Sequence, residues 1–383
     1  MNNIKSCSRR QFIENIGQFG LAISAMPAMI DVLFGSGRSV FAQDDTGKFI
    51  EVKHYKKLPD NAIQCFVCPL DCILLDGQTC FCRTRTNHGG ILYNHAYNNP
   101  CIINVDPIEK LPLYHFLPST KSLGIATGGC NMRCLYCQNW QESQEIPDKL
   151  KNFSMTAEKL LDSAAKKELK SICYSYTEPV SYYEYMMEIS AHAHSKGIKN
   201  AVCTAAFIKK DPLKELCKTA DAFTVTLKGI DQEFYDKICG SKIAPVLDAI
   251  KTIKEEKVWL EIAHLIVPTY NDSPEKTKEL CKWVKENAGE DTPLHLLRFF
   301  PEYKMKDVPQ TPVNVITKAR EIALDAGLKY VYVSNVSPHD GNNTYCQNCK
   351  KPVIKRLGVA VLENSTDKGK CKFCGTQLPG VYV

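Results

Sequence analysis

Across residues 123–333, runs of consecutive apolar residues alternate with longer stretches in which apolar positions recur every three or four residues. The continuous runs, at 123–126, 171–176, 200–204, 222–227, 259–267, 294–299 and 330–333, predict strands buried on both faces. The stretches at 157–167, 182–195, 212–218, 244–256, 273–287 and 312–326 predict helices between them. Strand followed by helix, repeated, is the sign of parallel β/α units. Six or seven such units are too few for a complete eight-fold barrel, so the pattern predicts an open or partial one with its chemistry at the carboxyl ends of the strands.

Outside this α/β region, placed at 101–335, the pattern changes. Residues 343–383 and 61–100 are short, cysteine-bearing and glycine-punctuated, and predict small metal-nucleated modules at the two ends. Residues 43–60 are polar and predict a linker. Ahead of it, Ser8-Arg9-Arg10-Gln11-Phe12-Ile13 leads into the moderately apolar stretch 19–30, too short to span a bilayer, and Val40-Phe41-Ala42 resembles a signal-peptidase site. This predicts a twin-arginine export signal over 1–42, cleaved after Ala42, and a periplasmic mature protein with no integral membrane span. That route carries folded proteins, which suits a cofactor inserted inside the cell. The alternative is an uncleaved amphipathic helix on a cytoplasmic protein.

Composition narrows the chemistry. The 383-residue chain carries +6, of which Lys5, Arg9, Arg10 and Arg38 against Glu14 and Asp31 contribute 4 − 2 = +2, so the rest carries 6 − 2 = +4. That mild excess gives no reason to expect nucleic acid as a partner. Nineteen cysteines are many, but they cluster at metal-like spacings: Cys65/Cys68/Cys72/Cys82, Cys130/Cys134/Cys137 and Cys346/Cys349/Cys371/Cys374. Cys7, Cys80, Cys101, Cys173, Cys203, Cys217, Cys239 and Cys281 are scattered and read mostly as small buried hydrophobes.

The central group lies in Gly128-Gly129-Cys130-Asn131-Met132-Arg133-Cys134-Leu135-Tyr136-Cys137-Gln138-Asn139, directly after the first strand of the alternating region. Three thiolates on one loop can ligate three irons of a cubane and leave the fourth open to a small ligand, whereas a structural zinc wants a fourth protein ligand nearby. This loop resembles that of the radical S-adenosylmethionine (SAM) superfamily, C-x3-C-x-aromatic-C, with Tyr136 as the aromatic residue. Closer resemblance is to the activating-enzyme branch and especially to AmmeMemoRadiSam-system radical SAM enzymes. It runs from about Ile63 to the end of the chain and includes Asp106-Pro107-Ile108-Glu109-Lys110, Tyr114-His115-Phe116-Leu117-Pro118 and Cys137-Gln138-Asn139-Trp140.

The resemblance implies a partial (β/α)6-type radical SAM barrel. It implies a [4Fe–4S] cluster on Cys130, Cys134 and Cys137, and SAM bound by its methionine amino and carboxylate groups. Reduction of the cluster then cleaves SAM to methionine and a 5′-deoxyadenosyl radical, which abstracts hydrogen from a protein or small-molecule substrate; an electron donor is the further partner implied. Where the family places Gly-Gly-Glu, this chain has Tyr176-Thr177-Glu178, so Glu178 matches as the acceptor for SAM's ammonium without the glycines. Where relatives have Asp-Leu-Lys, Thr226-Leu227-Lys228 lacks the carboxylate but keeps Lys228 to meet one. His295, Arg298, Asn271 and Asp272 lie near strand ends, each more in keeping with a structural than a binding role.

At the flanks, Cys65, Cys68, Cys72 and Cys82 fit zinc or a second iron–sulfur cluster. Cys346-x2-Cys349 and Cys371-x2-Cys374 fit a zinc ribbon or a rubredoxin-type iron. Two alternatives stand beside the radical SAM reading. One is activation of a glycyl radical enzyme; the other is a non-catalytic iron–sulfur electron-transfer or scaffold protein.

Overall fold

A computed structural model describes residues 50–383; the expected export signal, Cys7 and the start of the linker lie outside the described residues. An eight-stranded sheet forms the centre: β1 (Ile102–Pro107), β2 (Lys121–Ala126), β3 (Ser171–Tyr174), β4 (Lys199–Thr204), β5 (Ala222–Thr226), β6 (Trp259–Ile266), β7 (Leu294–Arg298) and β8 (Val331–Ser334). The strands lie side by side in chain order, with β2 to β8 parallel. Strand β1 pairs antiparallel to β2 and was not read from the sequence. It is an edge strand with Val105 exposed and Pro107 at its end, so neither periodicity marks it.

Helices α1 (Ala157–Lys166), α2 (Tyr183–Ala193), α3 (Lys210–Cys217), α4 (Ala244–Glu255), α5 (Pro274–Asn287) and α6 (Val313–Asp325) follow β2 to β7 in turn. Their starts are built locally. Thr156 caps α1 by accepting from the Lys159 N–H at 3.4 Å, and Ser273 caps α5 ahead of Pro274. Each buries one stripe, such as Leu280, Cys281 and Val284 on α5, and a buried leucine contributes roughly 1.5–3 kcal/mol. Leu280→Ala would cost about 2–5 kcal/mol, because the void it leaves adds to the lost transfer energy.

Glu261 closes the amino end of the sheet. Its carboxylate, fully buried, accepts from the backbone N–H groups of Tyr114 (2.9 Å) and His115 (2.8 Å) and from Trp259 Nε1 (3.1 Å), and lies 2.7 Å from His295 Nε2. His295 is therefore a structural residue of the amino end. Burial works to raise the Glu261 pKa, and these partners outweigh it and hold it low.

The two cysteine modules pack on the barrel within one compact unit. The C-terminal one, with strands Thr344–Tyr345, Pro352–Leu357 and Ala360–Asn364, is strapped to the amino end. Arg356 donates to Tyr114 O at 3.1 Å and lies 3.6 Å from Glu109, and the Val381 N–H donates to His115 O. The N-terminal module begins earlier than the expected linker allowed. Ile50–Glu51 pairs with Ile91–Asn94, and Tyr55–Lys57 pairs with Ile63–Cys65. These pairings are too short and too exposed to leave a hydrophobic period. Among the described residues no helix is long and apolar enough to cross a membrane.

Candidate functional site

The loop after β2 is held open from two sides. Gly129 has φ +92°, and a Cβ there would meet the Cys82 carbonyl oxygen at 2.5 Å and clash with Thr84, so glycine alone fits. The Cys130 N–H donates to Cys82 O at 3.1 Å. From the other side the Arg133 N–H donates to Cys239 O (2.8 Å) and the Leu135 N–H to Ile238 O (2.9 Å). Ile238 and Cys239 end a π-turn, Tyr235–Cys239, a local irregularity of the kind that concentrates at functional sites. Asn131 Nδ2 donates to Phe207 O at 2.8 Å.

These constraints bring Cys130, Cys134 and Cys137 together on one loop at the carboxyl end of the sheet, where none of them is exposed. Donors approach the sulfurs: the Met132 N–H lies 3.3 Å from Cys130 Sγ, and Ser143 Oγ 3.2 Å from Cys137 Sγ. Burial pushes the Cys130 and Cys137 thiols up. The neighbouring Cys239 thiol, against burial and with help from Lys228, brings Cys134 down to about 7. Three soft donors with N–H and O–H groups aimed at them suit a thiolate-bound iron–sulfur cluster, which takes up the charge that burial disfavours.

Glu178 is buried where β3 gives way to the short helix Pro179–Tyr182. Its Oε1 accepts from Thr204 Oγ1 (2.5 Å) and the Val180 N–H (3.3 Å), and its Oε2 from the Ala205 N–H (2.8 Å), leaving acceptor capacity on Oε2. Burial raises its pKa, and these donors and Lys228 work against the rise. Lys228, half-buried, is near enough to interact with Glu178 and with the loop cysteines. Burial opposes its charge, but Cys134, Cys239, Cys137 and Cys130 outweigh burial and hold its pKa up.

The missing glycines have a structural answer. Tyr176 itself takes φ +62°, a conformation uncommon outside glycine, and its hydroxyl bonds Asp106 while its ring lies over Gly124. Thr177 Oγ1 donates to Thr127 O at 2.8 Å, tying the loop after β3 to the one after β2. Asn139 Nδ2 donates to Tyr176 O at 2.7 Å, and Trp140 stacks on Tyr303 with centroids 5.1 Å apart. Asn271 bonds Val267 N, Lys228 O and Leu265 O, Asp272 accepts from Thr269 N, and Arg298 Nε donates to Thr311 O, so these three brace strand ends.

Two cysteines left among the scattered ones belong to clusters. Cys239 lies 3.9 Å from the Tyr136 hydroxyl, and its carbonyl accepts from the N–H of Arg133, the neighbour of Cys134. Cys80 lines the same cavity as Cys65, Cys68, Cys72 and Cys82. A spacing of two between Cys80 and Cys82 was the available signal. In the C-terminal module the thiols of Cys346, Cys349, Cys371 and Cys374 all lie within 4.8 Å of one another, as a single tetrahedral ion would require.

A parallel β/α sheet with a three-cysteine loop at its carboxyl end defines an α/β protein with a candidate metal centre, and comparison with known proteins gives the family. Residues 125–281 match the family model described as the radical SAM superfamily. An uncharacterized protein of Methanocaldococcus jannaschii is 41% identical over 330 residues, spanning 86% of this chain and 98% of the relative. The pyruvate formate-lyase-activating enzyme of Clostridium pasteurianum is 26% identical over 216 residues, covering 50% of this chain and 89% of that enzyme. Among solved structures, a radical SAM methyltransferase from Sphaerobacter thermophilus is 15% identical with a TM-score of 0.46, covering 59% of this chain and 71% of that one. The chain belongs to the radical SAM superfamily. It is an enzyme of SAM cleavage, with a [4Fe–4S] cluster and SAM as its cofactors.

Proposed function

We propose that Cys130, Cys134 and Cys137 hold the [4Fe–4S] cluster and that Glu178 and Lys228 take the ammonium and carboxylate of SAM's methionine moiety. One observation carries this reading: three thiols, a buried carboxylate with acceptor capacity and a half-buried ammonium converge at one mouth of the sheet. When bound, the cluster supplies the electron that cleaves SAM to methionine and a 5′-deoxyadenosyl radical, which abstracts hydrogen from a protein or small-molecule substrate. The chain's own residues orient and shield. Gly129 admits the loop, Tyr176 and Asn139 fix the approach of Glu178, and the Trp140–Tyr303 stack walls the mouth.

The motifs Asp106–Lys110, Tyr114–Pro118 and Cys137–Trp140 support placing the chain in the AmmeMemoRadiSam-system branch. The arginine pair Arg9-Arg10 supports twin-arginine export, with the periplasm as destination. Cys346, Cys349, Cys371 and Cys374 are assigned to structural zinc, with rubredoxin-type iron as the other ion that four thiolates accept. A second reading, installing a radical on the glycine of a partner enzyme, draws on similarity to the Clostridium pasteurianum activating enzyme.

The test is anaerobic incubation of reconstituted, reduced protein with SAM and assay for 5′-deoxyadenosine, beside the variant with Cys130, Cys134 and Cys137 all changed to alanine. Product from the wild type and none from the variant is the expected result. A cluster that assembles on the wild type and yields no product with any substrate pool would instead support an electron-transfer protein.

A further inference from the structure

Cys65, Cys68, Cys72, Cys80 and Cys82 line one small, partly open cavity with Arg85, and none of the five is in a disulfide. Local backbone bonds gather them: the Cys65 N–H donates to Cys72 O at 2.9 Å, the Cys80 N–H to Arg85 O at 2.7 Å, and the Arg83 N–H to Cys80 O at 2.9 Å. Thr84 Oγ1 lies 3.1 Å from Cys82 Sγ, and Arg85 NH1 donates to that sulfur at 3.7 Å.

Charge decides what such a group needs. Arg85 is 2% exposed and is paired with Glu184, 7% exposed, at 3.1 Å, so the two buried charges cancel. With that pair self-compensating, the cysteines of this cavity stay neutral thiols unless a metal takes the place of their protons. Arg85 Nε has no hydrogen-bond partner, as expected beside an anionic group not held by protein atoms. The gathering is wider than a single ion draws: among the described residues, the thiols that all lie within 4.8 Å of one another are the C-terminal four. A wider thiolate frame suits a polynuclear cluster.

The position is equally specific. Cys82 carries both a thiol of this cavity and the carbonyl that accepts from the Cys130 N–H at 3.1 Å, so one hydrogen bond links the two cysteine groups. Asn131, inside the Cys130–Cys137 loop, lines the same cavity. On the outer side Phe81 is exposed, with Arg133 stacked on its ring at 3.6 Å.

We infer that the N-terminal module holds a second iron–sulfur cluster, ligated by four of the five thiols of Cys65, Cys68, Cys72, Cys80 and Cys82, and that it relays electrons to the Cys130/Cys134/Cys137 centre. A low-potential one-electron protein donor reduces the N-terminal cluster by one electron. The cluster is reoxidised by one electron as it passes that electron inward, and no bond is made or broken at this site. The relay rests on the proposed role of the Cys130 loop; the second cluster does not.

The test uses the full chain, reconstituted anaerobically, in three forms: wild type, C130A/C134A/C137A, and that variant with C65S/C80S/C82S added. About four iron and four sulfide are expected to remain in the first variant and to disappear from the second. Circular dichroism serves in both as the measure of a folded chain, and the sulfide count separates a cluster from any single ion held by the C-terminal four cysteines. If the first variant holds no iron and sulfide, or holds zinc in their place at the N-terminal site, the inference is overturned while the Cys130 assignment stands. Iron retained there beside a wild type that cleaves no SAM would sink the Cys130 assignment and leave the second cluster standing. For the relay, the reduced wild type should give an electron paramagnetic resonance spectrum broadened by coupling between two neighbouring clusters. A plain sum of two isolated signals would overturn it.

Discussion

The two terminal cysteine modules use the same soft ligand in opposite settings. The C-terminal four thiols sit close together at the amino end of the barrel, with Cys374 exposed and Cys346 and Cys371 buried. The N-terminal five surround a buried arginine at the carboxyl end, bonded through Cys82 to the loop of Cys130. Ligand type therefore says that each module can bind metal, and position says what the metal is for. Metal far from the reaction braces the fold; metal one hydrogen bond from the reactive loop can exchange electrons with it.

The sharpest way to isolate the reactive loop from both modules is the triple C130A/C134A/C137A change. It should lower 5′-deoxyadenosine formation by roughly a thousandfold or more, with the metal held by the C-terminal four cysteines, measured by elemental analysis, unchanged. Arg356→Met tests the strap. It leaves Glu109 buried without its cationic partner and should cost about 3–5 kcal/mol in unfolding free energy, read by denaturant titration. SAM cleavage per folded molecule should stay near wild type, and a comparable fall in both would break the comparison.

Acidification should loosen the same end. His115 is fully buried, with Nδ1 2.7 Å from Pro379 O and Nε2 2.6 Å from the Tyr332 hydroxyl, and burial lowers its pKa from 6.5 to about 4. The unfolded chain takes up this proton near pH 6.5 and the folded chain only near pH 4, so stability present above 6.5 is lost as pH falls through that window. The contribution is on the order of 3 kcal/mol, and His115→Gln should flatten the corresponding slope in a pH series of melts. Gly129→Ala probes the other end. Its Cβ would strike Cys82 O and Thr84, costing about 1–3 kcal/mol and displacing the N-terminal module from the loop. SAM cleavage should fall more than thermal stability does, and an unchanged rate would show that this contact is dispensable.

The seven parallel strands and six long helices were legible because each carries a local signal: a run buried on both faces or an apolar stripe. The three-cysteine loop was legible by spacing and by its place after β2. What escaped is held by contacts distant in the chain. Arg85 meets Glu184 across 99 residues and the Tyr114 N–H meets Glu261 across 147, so no window of sequence contains either pair. Cys239 looked like an ordinary buried cysteine for the same reason, whereas Cys80 carried a local signal in its spacing of two from Cys82. Tyr176 shows the converse: a motif position that lacks its usual glycine keeps the glycine-like backbone and holds it with a hydroxyl bond to Asp106 and packing on Gly124.

The most direct measurement of the central claim is low-temperature electron paramagnetic resonance of the anaerobically reduced chain before and after addition of SAM. The expected result is a cubane signal that changes shape with SAM in the wild type, and whose SAM-sensitive component is missing from C130A/C134A/C137A. A signal indifferent to SAM, or a SAM-sensitive signal that survives the triple change, would contradict the assignment of that loop as the SAM-binding centre.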